Sequence, residues 1–212
     1  MISSDDGLNA AGGHDGSGFG GGMQAMEPNS DAYIKISGGS LNINAQGDGV
    51  DSNGALYVSG GETYIDGPES SGNGALDYDG TAEITGGVFV ASGELGMAQN
   101  FGEASTQGSI MITSENQEAG SSVSVKDEEG NILAKWDSPA NSYSSIVISC
   151  PGISKGNTYT INAGEYSQDI TLDSQIYGTG RGMGSMMGGG RRPDDNVGIQ
   201  NDESRNDSAP II

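Results

Sequence analysis

A short phrase that recurs three times constrains this chain more than any other feature. It reads Ile34-Lys35-Ile36-Ser37-Gly38-Gly39-Ser40-Leu41-Asn42-Ile43, then Leu56-Tyr57-Val58-Ser59-Gly60-Gly61-Glu62-Thr63-Tyr64-Ile65. The third copy is Ala82-Glu83-Ile84-Thr85-Gly86-Gly87-Val88-Phe89-Val90-Ala91. The copies begin at residues 34, 56 and 82, steps of 22 and 26 residues. A period in this range with two short alternating stretches per unit is the mark of a solenoid, in which each unit buries its apolar face only against its neighbours. Side chains alternate along a strand. Ile34/Ile36, Leu56/Val58 and Ala82/Ile84 therefore point inward, as do Leu41/Ile43, Thr63/Ile65 and Phe89/Ala91. The outward columns are Lys35, Tyr57, Glu83 and Asn42, Tyr64, Val90. Each Gly-Gly pair makes the corner between two strands, where one residue takes a backbone conformation that β-branched residues avoid. Equal units stacked directly give parallel pairing, so the expected fold is all-β, a right-handed parallel β-helix of 22–26 residues per coil.

Composition on its own points elsewhere. Of 212 residues only 33% are apolar, 38 are Gly, and the formal net charge is −21. Such a balance is usual in disordered chains, but a β-solenoid needs only a few apolar side chains per strand. The acidity excludes nucleic acid as a partner, because eight Lys and Arg are all the chain has to set against phosphates. It favours a cationic partner, above all a divalent metal. The single cysteine, Cys150, rules out an internal disulfide framework. No apolar run is long enough to be a transmembrane segment, and the first residues carry neither the basic nor the apolar region of a signal peptide.

A second column runs beside the first. Asp5-Asp6-Gly7-Leu8-Asn9 matches Gly47-Asp48-Gly49-Val50-Asp51-Ser52-Asn53-Gly54 and Gly74-Ala75-Leu76-Asp77-Tyr78-Asp79-Gly80. This aligns Leu8, Val50 and Leu76, and next to them Asn9, Asp51 and Asp77. A weaker fourth copy, Gly96 to Asn100, places Met97 in the apolar column. His14 to Asn29 is a Gly/Ser/Met loop whose removal restores the 26-residue step between the first two copies. The chain is thus expected to begin inside a solenoid, as an N-terminally truncated piece.

The stacked acids are the strongest candidate site. Neighbouring coils lie about 4.8 Å apart, and two like charges at that distance repel by roughly 3 to 4 kcal/mol at an effective dielectric of 20. A column of this kind needs a counter-charge. Ca2+, which takes six to eight oxygen ligands from Asp, Asn and carbonyls, suits Asp48, Asp51, Asn53, Asp77 and Asp79, with Asp6 and Asn9 continuing the column. The bland alternative is a set of ordinary polar turn residues. An EF-hand does not fit, since Gly49 and Gly60 stand where ligands are required, and the nine-residue calcium repeat does not fit the period.

The outward ladder Lys35, Tyr57, Tyr64 and Glu83 is the candidate carbohydrate-binding face, because aromatic rings beside hydrogen-bonding groups suit sugar rings. A solvated sheet face with Tyr chosen for strand propensity is the competing view. Trp136 is a further ring of this kind, although a lone Trp in a small β-unit is more often core. Catalysis has little behind it. His14 sits in a Gly-rich loop, Cys150 is a strand-end residue, and Lys35, the candidate base of an eliminative lyase, is an unburied Lys and so a poor base.

Residues 108–177 lose the repeat. Ser122–Lys126 and Ile132–Trp136 read as a hairpin, Ser145–Ser149 as a strand ended by Pro151-Gly152, and Thr158–Asn162 with Gln168–Leu172 as a strand pair. Together they form a mainly antiparallel β cap on the coils of residues 1–107. Residues 12–30 form a Gly-rich insertion, and 178–212 a disordered Gly/Met/Arg-rich and polar tail.

With these phrases in view, the chain resembles bacterial carbohydrate-binding-domain proteins whose parallel β-helix is related to pectate lyases. Ile36–Ile43, Gly47–Gly54, Gly72–Gly80, Ile84–Gly87, Ser145–Ser149 and Gly156–Thr160 carry the likeness, over roughly residues 1–172. The resemblance implies an extracellular or cell-surface protein that binds calcium within the helix. It also implies binding to plant cell-wall polysaccharides, cellulose or polygalacturonate (pectin), without catalysis. A calcium-dependent pectate lyase and a structural adhesion module are the two alternatives.

Overall fold

A computed structural model describes residues 1–11 and 31–178. The Gly-rich insertion with His14, and the tail from residue 179, lie outside the described residues. Every regular element described is a strand. The repeat region supplies β1 (Ile2–Ser3), β2 (Leu8–Ala10), β3 (Tyr33–Ala45), β4 (Val50–Ser52), β5 (Ala55–Asp66), β6 (Leu76–Tyr78) and β7 (Ala82–Gly93). The remainder supplies β8 (Ser109–Gln117), β9 (Val123–Lys126), β10 (Ile132–Trp136), β11 (Tyr143–Ser149), β12 (Thr158–Ala163), β13 (Tyr166–Thr171) and β14 (Ile176–Tyr177). They form three sheets, ordered β1-β3-β5-β7-β11-β8-β14, β10-β9-β12-β13 and β2-β4-β6.

Repeat pairs with repeat in parallel and in register. Ile34 lies beside Leu56 and Leu56 beside Ala82; Lys35, Tyr57 and Glu83 form one row, and Ile43, Ile65 and Ala91 another. The Gly-Gly pair is a bend within one continuous strand rather than a corner between two, with the register slipping around Ser37 and Ser59. The second glycine of each pair is left-handed, at φ 83° for Gly39, 88° for Gly61 and 95° for Gly87. No β-branched side chain tolerates that conformation.

The small sheet follows the second column. Leu8, Val50 and Leu76 pair side by side, and so do Asn9, Asp51 and Asp77. The glycine before this column is required sterically. A Cβ on Gly49 would lie 2.5 Å from the Ala75 carbonyl oxygen, and one on Gly7 2.5 Å from that of Gly49. The fourth copy is shifted by one residue from the expected alignment. Met97 pairs with no strand, whereas Ala98 is buried at 4% exposure and the Gln99 amide reaches Asp77.

Both arms of the bent strands and the small sheet share one apolar cluster. Leu56, Val58 and Ile84 come from the first arm, Ile43, Ile65 and Phe89 from the second, and Val50 and Leu76 from the small sheet. Phe101 closes it edge-on against Phe89 at a centroid distance of 5.0 Å. Each such side chain contributes about 1.5–3 kcal/mol on burial.

The end unit is antiparallel, and it grows out of the repeat's own sheet. β11, the strand expected over Ser145–Ser149, lies antiparallel between β7 and β8. Both faces of this part of the sheet are covered: Met111 and Val147 enter the first cluster, while Ile110, Ile112, Ile146 and Ile148 enter a second one. That second cluster is closed by the four-stranded sheet through Val125, Tyr159, Ile161 and Ile170. It holds the expected hairpin, β9 with β10, and the expected pair, β12 with β13. Asn100 ties the segment after β7 to the end of the described chain by donating to the Tyr177 and Gly178 carbonyls, each at 2.9 Å.

The second cluster overturns one inward–outward assignment. Val90, expected to face out, is fully buried, because the end unit folds over the outer face of β7 there. Cys150 is buried in the same cluster, which pushes its thiol pKa up to about 12 and leaves it without nucleophilic character at neutral pH.

Candidate functional site: an acidic column and an outward groove

The register of the small sheet brings acids from successive units together. Asp6, Asp48 and Asp51 each present a carboxylate oxygen, and these oxygens lie within 4.8 Å of one another. The spacing is built by the backbone. The Asp48 N–H donates to Asp6 Oδ1 at 2.9 Å, and the Gly74 N–H donates to Asp48 Oδ1 at 2.6 Å. Asp6 and Asp48 thus each accept from the backbone of the next unit, and in the third unit the position is Gly74, which has no side chain to continue with. Asn9 spans the gap on the other side. Its amide donates to Asp6 Oδ2 at 2.8 Å and to Asp51 Oδ2 at 2.9 Å.

Electrostatics mark the same residues. Burial raises the Asp48 pKa to about 6, assisted by the charges of Asp77, Asp6 and Asp5 and opposed by the Gly74 hydrogen bond. Asp51 also rises to about 6, from burial first and then from Asp6, Asp48, Asp77 and Asp79. Asp77 is raised by burial and by Asp79, with the Gln99 hydrogen bond working the other way. Among the described residues, the leading influences on these three acids are burial, one another, neighbouring Asp residues and neutral hydrogen-bond donors, with no cationic side chain among them.

Not all the sequence candidates converge equally. Asp6, Asn9, Asp48 and Asp51 form the tight group, and Asp77 with Asp79 adds charge from the next unit. Asn53 spends its amide on the Ala11 carbonyl at 3.1 Å. Sequence reasoning missed Asp5 as a contributor of charge and Gln99 as the partner of Asp77. Gln99 had a signal, since it stands 22 residues beyond Asp77, one of the two steps already evident in the repeat.

The outward face carries an open groove of ≈ 490 Å³ across β3, β5 and β7, lined by Tyr33, Lys35, Tyr57, Ser59, Glu83 and Thr85 among others. Lys35, Tyr57 and Glu83 are its central row, in register on three neighbouring strands. Tyr33, two residues before Lys35 on the same face, adds a second ring that is 60% exposed. Tyr64 does not line this groove. It packs half-buried against Trp136, ring centroids 5.7 Å apart, where the end unit meets the second arm. Comparison of the chain with protein-family models, with curated proteins and with solved structures finds no match.

Proposed function

We propose that this chain is a calcium-binding, noncatalytic carbohydrate-binding protein, built as a right-handed parallel β-helix and acting at the bacterial cell surface on plant cell-wall polysaccharides. The parallel, in-register ladders and the apolar cluster enclosed by three strand faces support the β-helix. The observation that carries the functional reading is the acidic column: partly buried carboxylates within 4.8 Å of one another, held by backbone N–H groups and the Asn9 amide, with no cationic side chain among the described influences on them. Hard oxygen donors of this kind suit Ca2+. Asp6, Asp48 and Asp51 would be its ligands, and Asn9 would turn its amide to present oxygen in place of N–H. Asp77 and Asp79 would add charge, while Asn53 contributes least.

The groove supplies the contact with the glycan. Tyr33 and Tyr57 offer flat apolar faces to sugar rings, and Lys35, Ser59, Glu83 and Thr85 offer hydrogen bonds at their edges. A chain of net charge −21 holds an acidic polysaccharide only where a cation offsets the repulsion. Lys35 does so locally, and bound calcium lowers the charge of the whole. A neutral glucan needs the rings alone.

Isothermal titration of the chain with calcium, followed by co-sedimentation with insoluble cellulose and pectin, tests this reading. Calcium uptake with retention on either glycan is the predicted outcome. Unsaturated products absorbing in the ultraviolet, released from polygalacturonate and lost in Lys35→Ala, would make the chain a lyase instead. Retention on neither glycan would leave a structural adhesion module.

A further inference from the structure

One end of the parallel ladder is covered by β11 and β8, and the other, among the described residues, is not. β1 covers only Asn44 and Ala45 of β3. From Tyr33 to Asn42 the outer edge of β3 has no strand against it among the described residues; at its end the Met1 amine donates to the Asn42 carbonyl at 2.6 Å. The apolar columns are uncovered at the same end. Ile34, Leu41 and Leu8 are only partly buried, whereas their neighbours Leu56, Thr63 and Val50 are 0%, 1% and 0% exposed.

Gly38 gives an independent indication of what belongs there. The first glycine of each pair has an ordinary φ, so conformation does not require it. Contact requires it in the inner copies. A Cβ on Gly60 would stand 3.0 Å from the Ser37 carbonyl oxygen, and one on Gly86 2.9 Å from that of Ser59. Around a Cβ on Gly38 there is nothing within 4 Å among the described residues. Glycine in a strand costs backbone entropy and packs no side chain. Its presence at residue 38 is explained by a backbone carbonyl lying where Ser37 lies over Gly60.

We propose that the open edge of β3 docks one further parallel strand of the phrase apolar-x-apolar-Ser/Thr-Gly-Gly, supplied by a polypeptide outside these 212 residues. Parallel addition in the register of β3 on β5 places a carbonyl over Gly38 and apolar side chains over Ile34 and Leu41. Main-chain hydrogen bonds supply the affinity and the alternating pockets the specificity. A second copy of this chain is the poorer occupant. Its own free edge is β3, which a twofold axis normal to the sheet pairs antiparallel, and it adds another charge of −21. Residues 12–30 hold no copy of the phrase.

The test is a labelled peptide of the β5 sequence, Ala55–Asp66, titrated into the full chain and followed by fluorescence anisotropy, with amide hydrogen exchange on β3. Saturable binding is expected, with slowed exchange between Tyr33 and Asn42. The Gly38→Ala chain should keep its melting temperature, since its new methyl meets nothing, yet bind the peptide about tenfold or more weakly. Peptide whose two glycines are replaced by Val should not bind. Absence of saturation, or equal affinity for Gly38→Ala, overturns the proposal. So does β3 edge protection before peptide is added, whether in a dimer detected by sedimentation (a second copy) or in the monomer (the chain's own residues).

Discussion

Asp48 and Asp51 are the residues whose chemistry the fold changes most. Their pKa values rise from an ordinary 3.8 to about 6. An acid with a raised folded pKa binds more protons folded than unfolded between those values. Its stabilising effect is therefore lost as pH rises. In the presence of a chelator, the melting temperature should fall between pH 4 and 6 and level off above. Saturating calcium should flatten or reverse that slope, which thermal melts at half-unit pH steps would reveal; an unchanged slope would count against the site. Asp77 raises both neighbours through its charge. Asp77→Ala should raise the melting temperature in chelator by a few degrees and narrow, without abolishing, the difference between calcium and chelator. On the groove, Tyr57→Ala should weaken glycan retention about tenfold, the worth of one stacked ring, while leaving the melt unchanged.

At the scale of elements, much of the ladder was legible in the residues and its surroundings were not. A period-two pattern fixes which side chains of a strand share a face, so the rows Leu8–Val50–Leu76 and Lys35–Tyr57–Glu83 follow from alignment alone. The pattern is blind to what later elements fold over the outside. Val90 and Tyr64 are outward by alternation, yet the end unit buries one and sets Trp136 on the other. The fourth copy was misplaced by one residue because it has no strand to hold the alternation. The backbone N–H bonds to Asp6 and Asp48 are likewise invisible in sequence, since they depend on which N–H groups the neighbouring unit leaves free. The glycine before the column has its own consequence. Gly49→Ala would press its methyl against the Ala75 carbonyl at 2.5 Å and against Ile65. It should destabilise the chain by about 1–3 kcal/mol, more than the same change at the open Gly38, as denaturant titration of the pair would show.

Taken as a whole, the molecule sets a strongly acidic surface on a narrow apolar interior. Few apolar residues suffice because each strand arm buries only two or three, and they stack on equivalents in the next unit. The same stacking repeats charge as faithfully as it repeats packing, so a sequence acid becomes a column of acids. In the proposed function, calcium uptake and glycan retention are two outcomes of one geometry. The measurement that tests this most directly is retention on polygalacturonate, by affinity co-sedimentation, in calcium and in chelator. Saturable retention in calcium, lost with chelator and lost in Asp48→Asn, is the predicted result. Equal retention in both conditions, or none in either while titration shows no calcium uptake, would contradict it.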